Sequence, residues 1–220
     1  LYKIYSNKND IREKQNYLLK IVENQLISLR SKKELFYELL KSNKYLEMDS
    51  FKIIVKKCLS FSKDDPLLNL IMGDLYSKER NYKSALQSYK KSTGSSYVKD
   101  EYMYNKMIEI HFNLGGYNDV ISVASSAIET YPFKARFYYL KALAHLNLEE
   151  FRTAIDVLNS GQDFIIDDNL FASEYYSIYG EIYHKSENFK KSDEYYDLSL
   201  SYNNENVYVL NNYSYYLSLR

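Results

Sequence analysis

Apolar and aromatic residues recur along this chain at i, i+3, i+4 and i+7, the spacing that lays one stripe down a helix. Tyr176, Tyr179, Gly180 and Tyr183 keep it well; Tyr138, Lys141, Ala142 and His145 keep it least, with a lysine in an otherwise apolar place. The pattern predicts helices over 66–78, 82–93, 100–113, 117–130, 134–147, 151–164, 171–185, 189–201 and 206–219. Further helices are expected near 9–29, 31–42 and 49–61, the last capped by Asp49 or Ser50. Only two prolines occur and both punctuate. Pro66 follows Asp64 and Asp65 in the first turn of a helix, and Pro132 marks a helix end. Polar turns KERN (78–81), NLGG (113–116), NLEE (147–150) and KSEN (185–188) join the helices in pairs. Connections this short make antiparallel hairpins.

One offset repeats through the hairpins. A mid-helix residue, usually small, is followed nine positions on by a large aromatic and ten further by a small or hydroxyl residue. The sets are Gly73, Tyr82 and Ser92; Ile108, Tyr117 and Ala127; Ala142, Phe151 and Gly161; Gly180, Phe189 and Ser199. Ser214 opens a fifth copy. Successive starts lie 35, 34, 38 and 34 residues apart. A period in this range signifies stacked supersecondary units, each unable to bury both faces alone. The small residue lets the second helix approach, and the aromatic fills the wedge beside the turn. The longer spacing before Gly180 leaves a connection around 163–169, whose Ile165–Ile166 pair is expected to pack back on the array. Residues 1–63 are helical but off this register, so they read as an N-terminal cap or a degenerate repeat ahead of an array over 64–220.

The stretch LNLIMGDLYSKERNYKSALQSYKKS (68–92), with Gly73, Tyr76, Tyr82, Ala85 and Tyr89, resembles tetratricopeptide repeats (TPR). Tyr104, Gly115, Tyr117, Ala127 and Pro132 continue the likeness, followed by Ala142, Phe151, Ala154 and Leu158, then Gly180, Tyr183, Phe189 and Tyr196. The resemblance implies an all-α fold, a right-handed α-solenoid of stacked antiparallel helix hairpins. More narrowly, the repeat order and the closing NNYSYYLSLR look like TPR proteins of Bacteroidota, which are often envelope-associated. That likeness favours a bacterial periplasm or outer-membrane-associated location over cytoplasm.

In such arrays the first helices line a groove that takes an extended peptide or a helix. By register the groove here holds Leu67, Leu70, Asp74 and Ser77, then Tyr102, Asn105, Glu109 and Phe112. Arg136, Tyr139, Leu143 and Leu146 continue it, followed by Glu174, Ser177, Glu181 and His184, with Tyr208, Asn211 and Tyr215 closing the row. The form of the family that clamps a C-terminal carboxylate needs paired Lys, Asn and Arg. Leu70, Asp74, Lys106, Arg136 and Leu140 stand there instead, so no such clamp is expected.

Composition narrows the partners. Formal net charge is zero, with 29 basic and 29 acidic residues; residues 1–60 carry +6 and 61–220 carry −6. No nucleic acid is expected, because no face reads as basic enough to hold phosphate backbones. Lys32–Lys33 and Lys56–Lys57 read as solvated helix surface. No run is long and apolar enough for a membrane span. Leu1 and Arg220 give the appearance of an excised piece of something longer. Cys58, the single cysteine, lies on the apolar face of FKIIVKKCLSF and reads as a buried, inert thiol.

No nucleophile, phosphate-loop or zinc motif occurs. His111, His145 and His184 fall at nearly one place in three repeats, and equivalent sites on stacked repeats lie too far apart to share a metal. His111 and His145 are therefore expected to pack between helices, with His184 nearer the groove. Asp64–Asp65, Glu149–Glu150 and Asp167–Asp168 read as turn and cap residues, and the Asn212 sequon lies inside a helix. The reading is a non-enzymatic scaffold or adaptor without cofactor or metal, holding a protein or peptide. The alternative is a peptide-sensing regulatory domain of a larger protein.

Overall fold

The computed structural model describes residues 11–24, 26–28, 30–32, 34–35, 48–92 and 100–219, and among them all regular structure is helical. The chain packs as two units, Leu1–Met103 and Tyr104–Arg220. The first contains α1 (Ile11–Glu23), α2 (Met48–Phe61), α3 (Pro66–Lys78) and α4 (Tyr82–Ser92); α5 (Asp100–Asn113) begins in it. The second contains the rest of α5, α6 (Tyr117–Thr130), α7 (Ala135–Asn147), α8 (Phe151–Gly161), α9 (Asn169–Lys185), α10 (Phe189–Tyr202) and α11 (Val207–Ser218). The architecture is the expected all-α solenoid class of helix hairpins. The second helix of every hairpin begins on the repeated aromatic: Tyr82, Tyr117, Phe151 and Phe189.

The hairpin turns share one geometry. Arg80, Gly115, Glu149 and Glu187 all have positive φ, between 58° and 68°, at the third position of the four turns. The next residue's N–H reaches back five places: Asn81 to the Tyr76 carbonyl, Gly116 to His111, Glu150 to His145 and Asn188 to Tyr183, at 2.8–2.9 Å. This is the left-handed helix stop that satisfies otherwise orphaned carbonyls. Glycine stands there only once, so the other three turns hold a side chain in a conformation that costs it energy. Asn81 and Asn188 then cap the following helix through their side-chain oxygens.

The small mid-helix residues take the close approach, but the ring against them is not the one nine residues on. A Cβ on Gly73 would lie 2.5 Å from the Tyr89 ring, and one on Gly180 would lie 2.9 Å from Tyr196. The covering residue stands sixteen positions later. Ile108 shares a core with Ala124 at that offset, and Ala142 shares another with Leu158. The pairs Gly/Tyr, Ile/Ala, Ala/Leu and Gly/Tyr trade volume across the hairpin, as a close-packed interior requires. The turn aromatics pack locally instead: Tyr117 lies edge-on to Phe112 at 6.1 Å, and Phe189 lies 5.5 Å from the His184 ring.

Helix α7 is buried on two sides. Ala135, Ala142 and Leu146 join Tyr175, Ile178 and Tyr179 in one core, while Phe137 and Ala144 join Ile108 and Val120 in the other. Helices α9 and α10 meet through hydroxyls. Buried Ser192 donates to the Gly180 carbonyl at 2.9 Å, and Ser199 donates to the Ser173 carbonyl at 2.7 Å. Serine suits this contact because it is small and returns a hydrogen bond.

In the first unit, Leu18 and Val22 of α1, Phe51, Ile54 and Cys58 of α2, and Leu68 and Ile71 of α3 form one core. Helix α2 packs on α3, the first regular helix of the array, and α1 packs on α2. The expected helix over 9–29 stops at Glu23: the Asn24 side chain accepts from Leu26 N at 2.9 Å and turns the backbone out. In the expected 31–42 helix, residues 30–32 and 34–35 are helical; 36–42, like residues 9 and 10, lie outside the described residues. Neither Asp49 nor Ser50 is the cap, since α2 is already running at Met48. Asp65 caps α3, accepting from Leu68 N at 3.1 Å. The helix expected to 164 stops at Gly161 and continues as a 3₁₀ turn over Gln162–Phe164. Asp168 caps α9, which starts two residues earlier than expected. The isoleucine pair divides: Ile165 packs on the core and Ile166 is exposed.

Lys56 is exposed, but Lys57 pairs with Glu23 and Lys32 donates to the Val22 carbonyl at 2.8 Å, so these lysines also tie α1 to its surroundings. Cys58 is buried, and desolvation pushes its thiol up to about 11. We expect the folded protein at pH 8 to resist thiol-directed alkylation that the urea-unfolded chain accepts; equal labelling rates would contradict this burial. Because the folded value lies above the unfolded one, Cys58 weakens folding only as pH rises from about 9 towards 11.

Candidate functional site

The first helices of the hairpins carry the expected row, and each unit holds its own part. In the first unit, Leu70 is buried and Leu67 packs half-buried against the core, so Leu70 presents no surface to a partner. The polar end of the row is a hydrogen-bonded trio. Tyr89 donates to Asp74 Oδ1 at 2.7 Å, and Tyr102 donates to the same oxygen at 3.1 Å. A largely buried carboxylate is thereby satisfied by two phenols, as burial demands. Burial and the Asp74 charge together raise the Tyr89 phenol far above its ordinary range. Tyr102 keeps an exposed ring.

In the second unit, several expected residues converge. Burial pushes the Tyr139 phenol up to about 12, with Glu174 and then Glu181 acting in the same direction and Arg136 opposing them. Those three charges therefore stand within electrostatic reach of one hydroxyl. Tyr208 donates to Glu181 Oε2 at 2.9 Å, and its own phenol is raised by burial first and by Glu181 next. Lys185 adds a loose ion pair to Glu181 at 3.7 Å. Arg136, Glu174 and Tyr208 are exposed around Tyr139, which leans on Phe171 and Tyr175 at 5.6 and 6.2 Å. The result is a tyrosine floor with charges of both signs at its edge.

Other expected members stand differently. Leu146 is buried and is withdrawn from the row; Leu143 is half-buried in the same core. Both lie on a helix covered from two sides, where the apolar stripe is too wide to leave a free edge. Phe112 packs on the neighbouring core, Asn105 is half-buried, and Glu109 pairs with Lys106 at 2.8 Å. Ser177 is buried and donates to the Glu174 carbonyl. Asn211 and Tyr215 are exposed on α11. His184 stacks on Tyr216 with ring centroids 3.6 Å apart, at the mouth of an open hollow lined also by Phe189 and Leu219.

His111 and His145 have packing roles: His145 Nδ1 lies 2.6 Å from Glu150 and His111 Nδ1 lies 3.6 Å from Asp119, each histidine reaching over its own turn. Sequence reasoning missed Lys185, Asn212 (bonded to Tyr208) and Tyr216. The Glu181–Lys185 spacing of four residues on a helix was the available signal for the first.

Helix hairpins at this period, with the small residue, the turn aromatic and the left-handed stop in fixed places, define a helical-repeat protein. The sequence profile described as "Tetratricopeptide repeat" matches two stretches of it, residues 68–96 and 173–206. Solved structures similar in fold include the following three. MamA (residue 41 to the end) of Desulfovibrio magneticus RS-1 shares 16% identity and a TM-score of 0.63 over 80% of this chain and 97% of that one. YrrB, described as a TPR protein with an unusual peptide-binding site, gives 15% and 0.65 over 80% and 88%. The thermophilic TPR protein TTC0263 of Thermus thermophilus gives 16% and 0.54 over 84% and 96%. No curated protein matches the chain in sequence. Among the described residues no helix is long and apolar enough to cross a membrane.

Proposed function

We propose that this protein is a non-enzymatic interaction scaffold whose first-helix face in the second unit holds a peptide or protein segment. The observation that carries the reading is the convergence of Arg136, Glu174, Glu181 and Tyr208 around Tyr139. Stacked tyrosines supply contact area with little side-chain entropy to lose, and edge charges orient what lies across them. The peptide-binding site named for the structurally similar YrrB is consistent with this use of the fold. On the resemblance of repeat order, the reading extends to an adaptor in a bacterial envelope assembly.

A displayed library of random peptides tests it. Peptides selected on the unaltered chain should lose binding to the Arg136→Glu/Tyr208→Ala variant, whose two positions are exposed and leave helicity intact. Selected peptides that bind this variant equally well would place the site elsewhere.

A further inference from the structure

On one side, α9 and α10 meet through stacked tyrosines. Tyr179 lies on Tyr195 with ring centroids 4.6 Å apart, Tyr183 on Tyr195 at 5.4 Å and Tyr176 on Tyr202 at 5.4 Å. All three pairs are within 18° of parallel. This side is turned to α7 and α8. Tyr176, Tyr183 and Tyr195 pack on the core those helices share with α9, and Asp163, just beyond α8, acts on the Tyr176 phenol. Tyr196, the next residue along α10, points the other way, to Tyr213 of α11. The stack therefore belongs to the two complete hairpins α7–α8 and α9–α10.

Phenols held face to face have a chemistry that phenylalanines would lack. A phenol that loses one electron and its hydroxyl proton becomes a phenoxyl radical, with spin on the oxygen and on the ring carbons beside the hydroxyl. Two such radicals in contact join through those carbons, and holding them together makes the coupling a first-order step. We propose that Tyr176 and Tyr202 form an oxidative cross-linking site, at which a haem peroxidase and hydrogen peroxide join the two rings and staple α9 to α10. One carbon–carbon bond forms, two ring C–H bonds break, and the peroxide takes up both hydrogens and leaves as two waters. Of the three pairs, this one meets the requirements. Tyr202 is 38% exposed, so an oxidant reaches it and its proton reaches water. Burial first, then the charge and hydrogen bonding of Tyr202, raise the Tyr176 phenol, which places the two hydroxyl ends together. Tyr179, by contrast, is fully buried and donates to Asn159 at 2.8 Å, which leaves its proton no route out. The Lys191 ammonium lies 5.0 Å over the Tyr183 ring, where a cation opposes removal of an electron. A bond between Tyr176 and Tyr202 closes a loop around the α9–α10 turn and restricts the unfolded chain, as a disulfide does.

The test treats the whole chain, in dilute solution, with a haem peroxidase and hydrogen peroxide. The chain should gain dityrosine fluorescence without gaining mass by sedimentation. After proteolysis, the peptides bearing Tyr176 and Tyr202 should be recovered joined, two hydrogens lighter than their sum. Tyr202→Phe should abolish this product and Tyr183→Phe should retain it; both changes keep the ring, and circular dichroism checks that each variant is folded. The cross-linked chain should melt at a higher temperature than the untreated one, and treated Tyr202→Phe should show no such rise. Joined peptides bearing Tyr179 or Tyr183 in place of this pair, coupling between molecules only, or no coupling at all would each overturn the proposal. A Tyr176–Tyr202 bond that leaves the melting temperature unchanged would overturn its role as a staple.

Discussion

Replacing Gly73 with leucine is expected to destabilise the first unit by about 1–3 kcal/mol or more, read as a lower melting temperature. Even the first carbon of a side chain would lie 2.5 Å from the Tyr89 ring. That ring cannot swing aside, because it is fully buried and its hydroxyl is held by Asp74. The volume trade between positions sixteen apart supplies the control. Tyr89→Ala alone removes a buried ring and should cost about 3–5 kcal/mol. Combined with Gly73→Leu it imitates the Ile108/Ala124 pair, so the double variant should lose less than the sum, by about 0.5 kcal/mol or more. Strict additivity would mean that the two side chains do not share one space. An unchanged melting temperature for Gly73→Leu would remove glycine's role in setting the approach of α3 and α4.

Tyr175→Ala should be the most damaging single change in the second unit, at about 3–5 kcal/mol by chemical denaturation. Its ring is fully buried and lies within 5.8–6.4 Å of Phe171, Tyr139, Tyr176 and Tyr179. Its hydroxyl donates to the Leu158 carbonyl at 2.7 Å and would meet a Cβ on Gly161 at the same distance. Tyr175→Phe keeps the ring and loses the hydrogen bond, so it should cost only about 0.5–1.5 kcal/mol. If the alanine and phenylalanine variants lose equal stability, the hydroxyl and not the ring holds this core.

The helices over the repeats were legible because period, turn chemistry and the aromatic at each second-helix start all agree. The starts at Tyr82, Tyr117, Phe151 and Phe189 follow directly. The cover on each small residue was less legible, because the covering position holds Tyr, Ala, Leu and Tyr and is constant only in the volume it completes. The early stop of α1 depends on one Asn24 side chain competing for a backbone N–H, which a stripe of apolar residues does not register. Register alone placed Arg136, Tyr139, Glu181 and Tyr208 on one face. It also placed Leu70 and Leu146 there, since periodicity gives a residue's direction on its helix and not how many neighbours close over it.

The two-sided burial of α7 has a consequence for how the second unit comes apart. A helix shared by two cores cannot lose one neighbour without loosening its grip on the other, so local opening beside α6 weakens the contacts of α8 and α9. Nearest-neighbour linkage of this sort makes unravelling from the ends the low-energy route. Amide protons of α7 should accordingly be among the last in this unit to exchange with solvent.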